Sequence, residues 1–278
     1  MNTAIVIDTS RELDQELYEP YNVYPIGYIL EDSNGERISE RVSVRRIQTS
    51  ELISRAKRDK KAKIFAPSIK DFVELYTYLA EEHDSLISIH SSLVTPAVFD
   101  NALVAKKLVS EINIDVIDSQ TFGSASGLFV EELAKFIKGA KNINEIRKEA
   151  INLNKHLNSF IMSRNDELTS IGLRSSNLLS YITSSFRPYT LYQYFHNNWQ
   201  ELKRSRNVKY LFNEVKNSVE IVKKTKDIQN IYYSSSWEFS RELKSLLKIF
   251  DKTENTESSQ SLVTYFLLGR NYFDVSFI

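Results

Sequence analysis

The chain has 278 residues, enough for two domains or one large one. Its 36 basic residues balance 36 acidic ones, so no net field draws it to nucleic acid, an anionic membrane surface or a strongly acidic partner. Cysteine is absent, which excludes disulfides, thiolate catalysis and cysteine-ligated metal centres and permits a reducing cytosol.

The opening Thr3-Ala4-Ile5-Val6-Ile7-Asp8 lacks a basic leader and is cut short by an aspartate. It predicts a buried strand at Ala4 to Ile7 rather than a signal peptide. No later run approaches the roughly 18 uncharged apolar residues of a membrane span, so a cytoplasmic protein without membrane insertion is expected. Strands follow at Val23 to Leu30, ending near Asn34-Gly35, then at Lys63 to Ala66, Leu86 to His90 and Ile114 to Ile117. Helices are predicted between them at about 50–60, 69–82, 96–111 and 125–138. Apolar strands alternating with helices of this length predict a parallel sheet covered on both faces.

After about residue 155 the rhythm changes. A strand at Phe160 to Ser163 and a helix near 174–185 precede an alternating run, Pro188 to Phe195. The turn His196-Asn197-Asn198 and the returning strand Trp199 to Arg204 complete a hairpin. A helix at about 207–224, a strand Asn230 to Ser234, a helix at 236–250 and a polar loop from Asp251 to Ser259 follow. Leu262 to Leu268, Gly269-Arg270-Asn271 and Tyr272 to Ile278 suggest a second hairpin. The expected organisation is an N-terminal α/β domain over 1–155 and an α+β domain with antiparallel strands over 156–278.

Only seven glycines occur in the chain, and two of them, Gly123 and Gly127, fall in the small-residue loop that follows Asp118-Ser119. A strand, a tight small-residue turn and a helix can frame a ligand site at a strand's carboxyl end, or can simply let helix and strand pack closely. Ser91-Ser92-Leu93-Val94-Thr95-Pro96 follows another strand; Thr95 suits an N-cap and Pro96 a first helical position. Three hydroxyls at a helix start would suit a carboxylate or phosphate, though Thr95 as a simple cap explains the pattern as well.

Asp8 and Asp118 end two strands and could form an acid/base pair or serve as loop caps. His83, His90, His156 and His196 lack metal-site spacing, so no metal is expected. A serine–histidine–aspartate triad from Ser91 or Ser119 with His90 is conceivable, but Gly123-Ser124-Ala125-Ser126-Gly127 carries alanine where a nucleophile elbow needs serine. Neither a Gly-x-x-x-x-Gly-Lys nor a Gly-x-Gly-x-x-Gly loop occurs, so no nucleotide cofactor is expected and kinase activity would require another chain. Lys203-Arg204-Ser205-Arg206 and the lysines at 209, 216, 223, 224 and 226 read as a solvated or docking face in preference to a nucleic-acid surface.

Taken together the motifs resemble the DegV family of bacterial fatty-acid-binding proteins. Asp8-Thr9-Ser10-Arg11-Glu12-Leu13 is similar to the family's Asp-Ser-Thr-x-Asp-Leu opening, and Val23-Tyr24-Pro25-Ile26 to its second strand. Pro67-Ser68 with Asp71-Phe72 is similar to the end of its Thr-Ser-Gln-Pro-Ser segment, and Ser91-Ser92-Leu93-Val94-Thr95 to its Ser-Ser-x-Leu-Ser-Gly-Thr. The stretch from Asp118 to Gly127 is similar to Asp-Ser-x-x-x-Ser-x-Gly-x-Gly; Arg187-Pro188 and Arg206 resemble the residues flanking the family's C-terminal hairpin.

The resemblance implies a two-domain fold with one long-chain fatty acid held between the domains, without catalysis, and presented to a fatty acid kinase that makes acyl phosphate for phospholipid synthesis. It places the carboxylate near Thr95, Ser92 and Ser91, with Arg174 as a nearby charge and Gly127 in the adjoining loop. The family's carboxylate-binding threonine and serine match Ile64 and Thr95. The family's Gly-Gly-Arg-Ile corresponds to Ser170-Ile171-Gly172-Leu173, and its terminal histidine is replaced within Leu267-Leu268-Gly269-Arg270-Asn271. Ile64 and Leu267 motivate an alternative: an interaction protein of the same fold that has lost the carboxylate site or binds another lipid. An enzyme using Asp8, Asp118 and Ser119 is a third reading.

Overall fold

The computed structural model describes residues 2–10, 19–40, 49–59, 61–93, 96–140, 142–164, 187–195, 198–250, 253–258 and 260–278. Four strands, β1 (Thr3–Asp8), β2 (Val23–Ile26), β6 (Ser85–His90) and β7 (Asn113–Asp118), form a sheet ordered β2-β1-β6-β7. Every pairing in it is parallel, as the alternation of apolar strands and helices implies. Successive side chains point to opposite faces. Ala4, Val6, Leu86 and Ile114 therefore meet Phe72, Tyr76 and Leu79 of α2 (Ile69–Ala80) and Val98, Ala102 and Ala105 of α3 (Pro96–Leu108). Ile5, Ile7, Ile87, Ile89 and Ile117 meet α4 (Ser124–Ile137) and α5 (Ile143–His156) on the other face.

The expected single strand from Val23 to Leu30 is broken in two. After β2 the chain leaves the parallel sheet, and β3 (Ile29–Glu31) becomes the middle of a separate antiparallel sheet ordered β4-β3-β5, with β4 (Arg37–Ser39) and β5 (Lys63–Phe65). Gly27 sits at the break. A Cβ there would lie 1.7 Å from the Glu40 carbonyl oxygen, so the two backbone segments approach closer than any side chain allows. The strand predicted at Lys63 to Ala66 accordingly belongs to this second sheet. α1 (Thr49–Arg58) covers it with Leu52, Ile53 and Ala56.

Beyond α5, six strands form a mixed sheet ordered β10-β9-β8-β13-β11-β12. These are β8 (Asn158–Ser163), β9 (Tyr189–Phe195), β10 (Asn198–Ser205), β11 (Asn230–Ser235), β12 (Glu254–Glu257) and β13 (Tyr272–Phe277). β9 and β10 are the predicted hairpin, with Asn198 opening β10; His196 and Asn197 lie outside the described residues. β13, the last strand in sequence, lies between β8 and β11 and is antiparallel to both. One face of the sheet packs on α6 (Val208–Lys223) and α7 (Ser240–Leu247) through Phe160, Met162, Leu191, Phe273 and Val275. The opposite face turns Ile161, Tyr192 and Tyr272 into the α2/α3 core and Tyr194 and Tyr232 into the α4/α5 core. The fold is thus α/β, with a parallel sheet first and a largely antiparallel sheet second, as expected.

Three local expectations are corrected. Leu262–Leu268 is a helix, α8, and not a hairpin strand, because Ser261 accepts from the Thr264 N–H (3.0 Å) while Thr264 Oγ1 accepts from the Ser261 N–H (3.2 Å), a reciprocal cap that starts a helical turn. The polar run expected as a loop contains β12, an edge strand parallel to β11. No helix is expected over 143–156, yet α5 forms there; the Asn142 side chain accepts from the N–H groups of Asn144 (3.0 Å) and Glu145 (3.1 Å). The helix predicted near 174–185 lies outside the described residues.

Candidate functional site

At the carboxyl edge of the parallel sheet, Asp8, His90 and Asp118 end three adjacent strands on the α2/α3 face. β6 lies between β1 and β7, so the two aspartates do not pair with each other, one of the two readings the sequence left open, and each has partners of its own.

Asp8 and His90 are wholly inaccessible to solvent. His90 Nδ1 lies 2.7 Å from Asp8 Oδ2, His90 Nε2 lies 2.7 Å from Ser88 Oγ, and the Tyr76 hydroxyl donates to Ser88 Oγ at 2.7 Å. Asp8 Oδ1 also accepts from the Ser10 N–H (3.0 Å), the Ser10 hydroxyl and, at 3.5 Å, the Tyr28 hydroxyl. An ionised carboxylate only accepts, which places a proton on Nδ1; in the neutral imidazole Nε2 then accepts from Ser88. The order is then Tyr76 to Ser88 to His90 to Asp8, each proton directed at the carboxylate. Burial raises the Tyr76 phenol above its ordinary range and keeps it a donor. Phe72 stands edge-on to the imidazole, the ring centroids 5.2 Å apart.

The order serine, histidine, aspartate is that of a hydrolytic triad, but its serine is Ser88, not Ser91 or Ser119. Ser88 is in mid-strand beneath Tyr76 with no exposed surface, so no substrate carbonyl can reach its hydroxyl. Ser88 and Tyr76 were not singled out by the sequence; the signal for Ser88 was its polar side chain inside an apolar strand, two positions before His90 and so on the same face.

The head-group residues expected on β6 and the following loop are only partly assembled. Ser91 is buried directly after His90. Ser92 lies beside it, its N–H donating to Asp118 Oδ1 (2.9 Å) and its hydroxyl to Oδ2. Asp118 Oδ1 also accepts from the N–H of Gln120 (3.1 Å), whose φ of 52° makes the tight turn into the next loop. Ile64, paired with Leu30 across the three-stranded sheet, packs into the apolar cluster that continues through Leu93, Phe122, Tyr192, Val263 and Leu267. Ile64 thus brings a hydrocarbon to the same cluster as Leu93, the residue that follows the two serines. Thr95 and Arg174 lie outside the described residues.

The loop after Asp118 resolves differently from a ligand turn. Asp274 of β13 reaches the first turn of α4, where Oδ2 accepts from the Ser124 N–H and Oδ1 from the Ser124 hydroxyl, both at 2.6 Å. Ser276 and Ser159 continue the chain at 2.6 and 2.8 Å. A Cβ on Gly123 would stand 2.1 Å from Asp274 Oδ2, and its φ is +59°, so both space and backbone require glycine. The partial positive charge of the helix N-terminus stabilises the buried carboxylate. Gly127 is buried in α4, its N–H donating to the Gly123 carbonyl at 3.3 Å.

A third buried carboxylate, Glu40, accepts from the hydroxyls of Thr9 (2.5 Å) and Thr49 (2.7 Å). Burial raises its pKa, with a smaller contribution from Asp8. Ser261 donates its hydroxyl to the Ser10 carbonyl at 3.2 Å, tying α8 to the loop that follows β1. Among the described residues no group of three or more acidic or histidine side chains is placed to hold a metal ion, and no helix is long and apolar enough to cross a membrane.

Residues 2–277 match the family model described as "Uncharacterised protein, DegV family". A DegV domain-containing protein of Staphylococcus aureus is 27% identical over 160 residues, 57% of this chain and 55% of that protein. Protein DegV of Bacillus subtilis is 26% identical over 165 residues, 58% and 57% of the two. The chain therefore spans little more than half the length of the curated relatives it matches.

Among solved structures, DegV, a fatty acid binding protein from Bacillus subtilis, superposes with a TM-score of 0.80 at 20% identity, covering 100% of this chain and 99% of that one. A stearic acid-binding protein from Eubacterium ventriosum gives 0.81 at 15% identity over 99% and 98%. The Streptococcus pneumoniae fatty acid kinase B3 protein loaded with linoleic acid gives 0.75 at 14% over 100% and 99%. At these identities the likeness is one of fold. With that fold shared and the family model matched from end to end, the chain belongs to the DegV family.

Proposed function

We propose that the chain is a non-catalytic lipid-binding protein that holds one long-chain fatty acid with its hydrocarbon along the α2/α3 apolar cluster and its carboxylate at the loop after β6. The observation that carries this reading is the continuity of that cluster. It joins Ala4, Val6 and Leu86 of the parallel sheet through Ile64, Leu93 and Phe122 to Val263, Leu267 and Tyr192 of the second sheet region, and Leu93 follows Ser91 and Ser92 in the chain. Burying an acyl chain contributes about 0.8 kcal/mol per methylene, so the tail supplies most of the affinity. The head group is assigned to Thr95, Ser92 and Ser91, with Arg174 as its charge, Ile64 in the apolar lining and Gly127 behind the adjoining loop.

Support for a carrier rather than a catalyst comes from the burial of Asp8, His90, Ser88 and Ser119. The bound acid would be presented in the cytoplasm to a separate fatty acid kinase. The division into units 1–155 and 156–278, with the lipid between them, belongs to the same proposal. Native mass spectrometry of the purified protein tests it: a mass excess of one fatty acid, or its appearance on adding oleate, is expected, and a ligand-free protein that takes up no oleate overturns it.

Ile64 and Leu267, both apolar in this cluster, favour one second reading, an interaction protein or a carrier of a neutral lipid. Selective loss of fatty-acid binding in Thr95→Ala would rule that reading out.

A further inference from the structure

We infer that His90, held by Asp8, is a positioning residue for the lipid site: the pair fixes the distance between the site's two walls without touching the ligand. The inference rests on the lipid reading above and adds residues that reading does not use. One wall is the segment Ser91 to Leu93, which leaves the sheet immediately after His90. The other is α8, which carries Val263 and Leu267 into the same apolar cluster.

Asp8 is the node between them. Through Oδ2 it holds the His90 imidazole, and through His90 the end of β6, whose carbonyl in turn accepts from the Ser119 N–H at 2.7 Å. Through Oδ1 it holds Ser10, whose carbonyl accepts the Ser261 hydroxyl at the start of α8. Tyr76 and Ser88 complete the donor order that fixes the imidazole's tautomer and ring orientation. The links are short, buried and directional, and a shift at Asp8 is transmitted to both walls because close-packed interiors do not absorb it locally. Adding the Asp8 and His90 links to the apolar contacts explains why two polar groups are kept in a core where hydrocarbons would pack.

The test is the binding of cis-parinaric acid to wild type, His90→Leu, His90→Gln and Leu246→Ala, each measured about 20 °C below its own melting temperature. Leu246 lies in the core between the six-stranded sheet and α7, remote from both walls, and controls for destabilisation alone. Expected is a loss of affinity of about tenfold or more in His90→Leu, near-normal binding in Leu246→Ala, and substantial recovery in His90→Gln, whose amide can still donate toward Asp8. Equal binding by His90→Leu and wild type overturns the inference, as does an equal loss in Leu246→Ala. If His90→Leu does not fold, Asp8→Asn replaces it: the amide group turns one donor against the His90 or Ser10 donors, the same weakening is expected, and unchanged binding overturns the inference. A wild type that binds no probe removes the lipid reading itself, and the positioning role with it.

Discussion

Asp8 and Asp274 are both carboxylates with no exposed surface, yet they are stabilised in opposite ways. Among the described residues Asp8 accepts mainly from side chains of its own region: an imidazole, a serine hydroxyl and a tyrosine hydroxyl, with one backbone N–H. Asp274 reaches out of the six-stranded sheet to the first turn of a helix that packs under the parallel sheet, where backbone, helix dipole and one serine stabilise it. The first arrangement depends on a set of particular side chains and tolerates gradual loss. The second depends on an open space at Gly123, and a single methyl group closes it.

That contrast is sharpest at Gly123. Gly123→Ala combines a strained φ with a methyl group driven into Asp274, and it should destabilise the protein by about 4 kcal/mol in urea denaturation. Asp274→Ala leaves the Ser124 N–H and hydroxyl buried without this acceptor and should cost about 3 kcal/mol. The two changes share one contact, so the double variant should fall short of their sum by at least about 1 kcal/mol; strict additivity would show that Gly123 and Asp274 do not constrain each other. In the side-chain network the loss should be smaller. Tyr76→Phe removes the outermost donor and leaves Ser88 to donate to His90, so about 1 kcal/mol is expected, and a loss as large as that of Asp274→Ala would erase the distinction.

The smallest effect concerns Glu40, whose folded pKa is raised by burial from an ordinary 4.5. A raised carboxylate stabilises the fold fully below its unfolded pKa and loses that contribution as pH rises through the folded one. The melting temperature of Glu40→Gln relative to wild type should therefore climb with pH from about 4.5 upward and level off above the folded pKa. A difference that is flat across this window would place Glu40 outside the buried group.

Periodicity made the parallel sheet legible, because β1 is an apolar run between Thr3 and Asp8, β6 and β7 are interrupted inside only by Ser88 and Asp115, and helices of readable length separate them. It failed where one residue decided the path. The break at Gly27 depends on the Glu40 carbonyl, thirteen positions away and invisible to a local pattern. In Leu262–Leu268 seven mostly apolar residues carry no alternation, and only the Ser261–Thr264 cap distinguishes helix from strand. At the candidate site, the sequence put Asp8, His90 and Asp118 at strand ends, where the structure has them, but did not show their partners. Ser88, Tyr76 and Asp274 are polar residues inside apolar segments, and their contacts join positions up to 150 apart.

The place of β13 bears on how the protein is made. Synthesis is vectorial, and domains fold as their parts emerge; here the strand between β8 and β11 comprises residues 272–277, more than a hundred residues after β8. Until those residues leave the ribosome, β8 and β11 present open backbone edges of the kind that recruit other chains. The nascent protein thus carries its six-stranded sheet as two unjoined pieces, and a chaperone that shields strand edges would act in the interval between the emergence of β11 and that of β13.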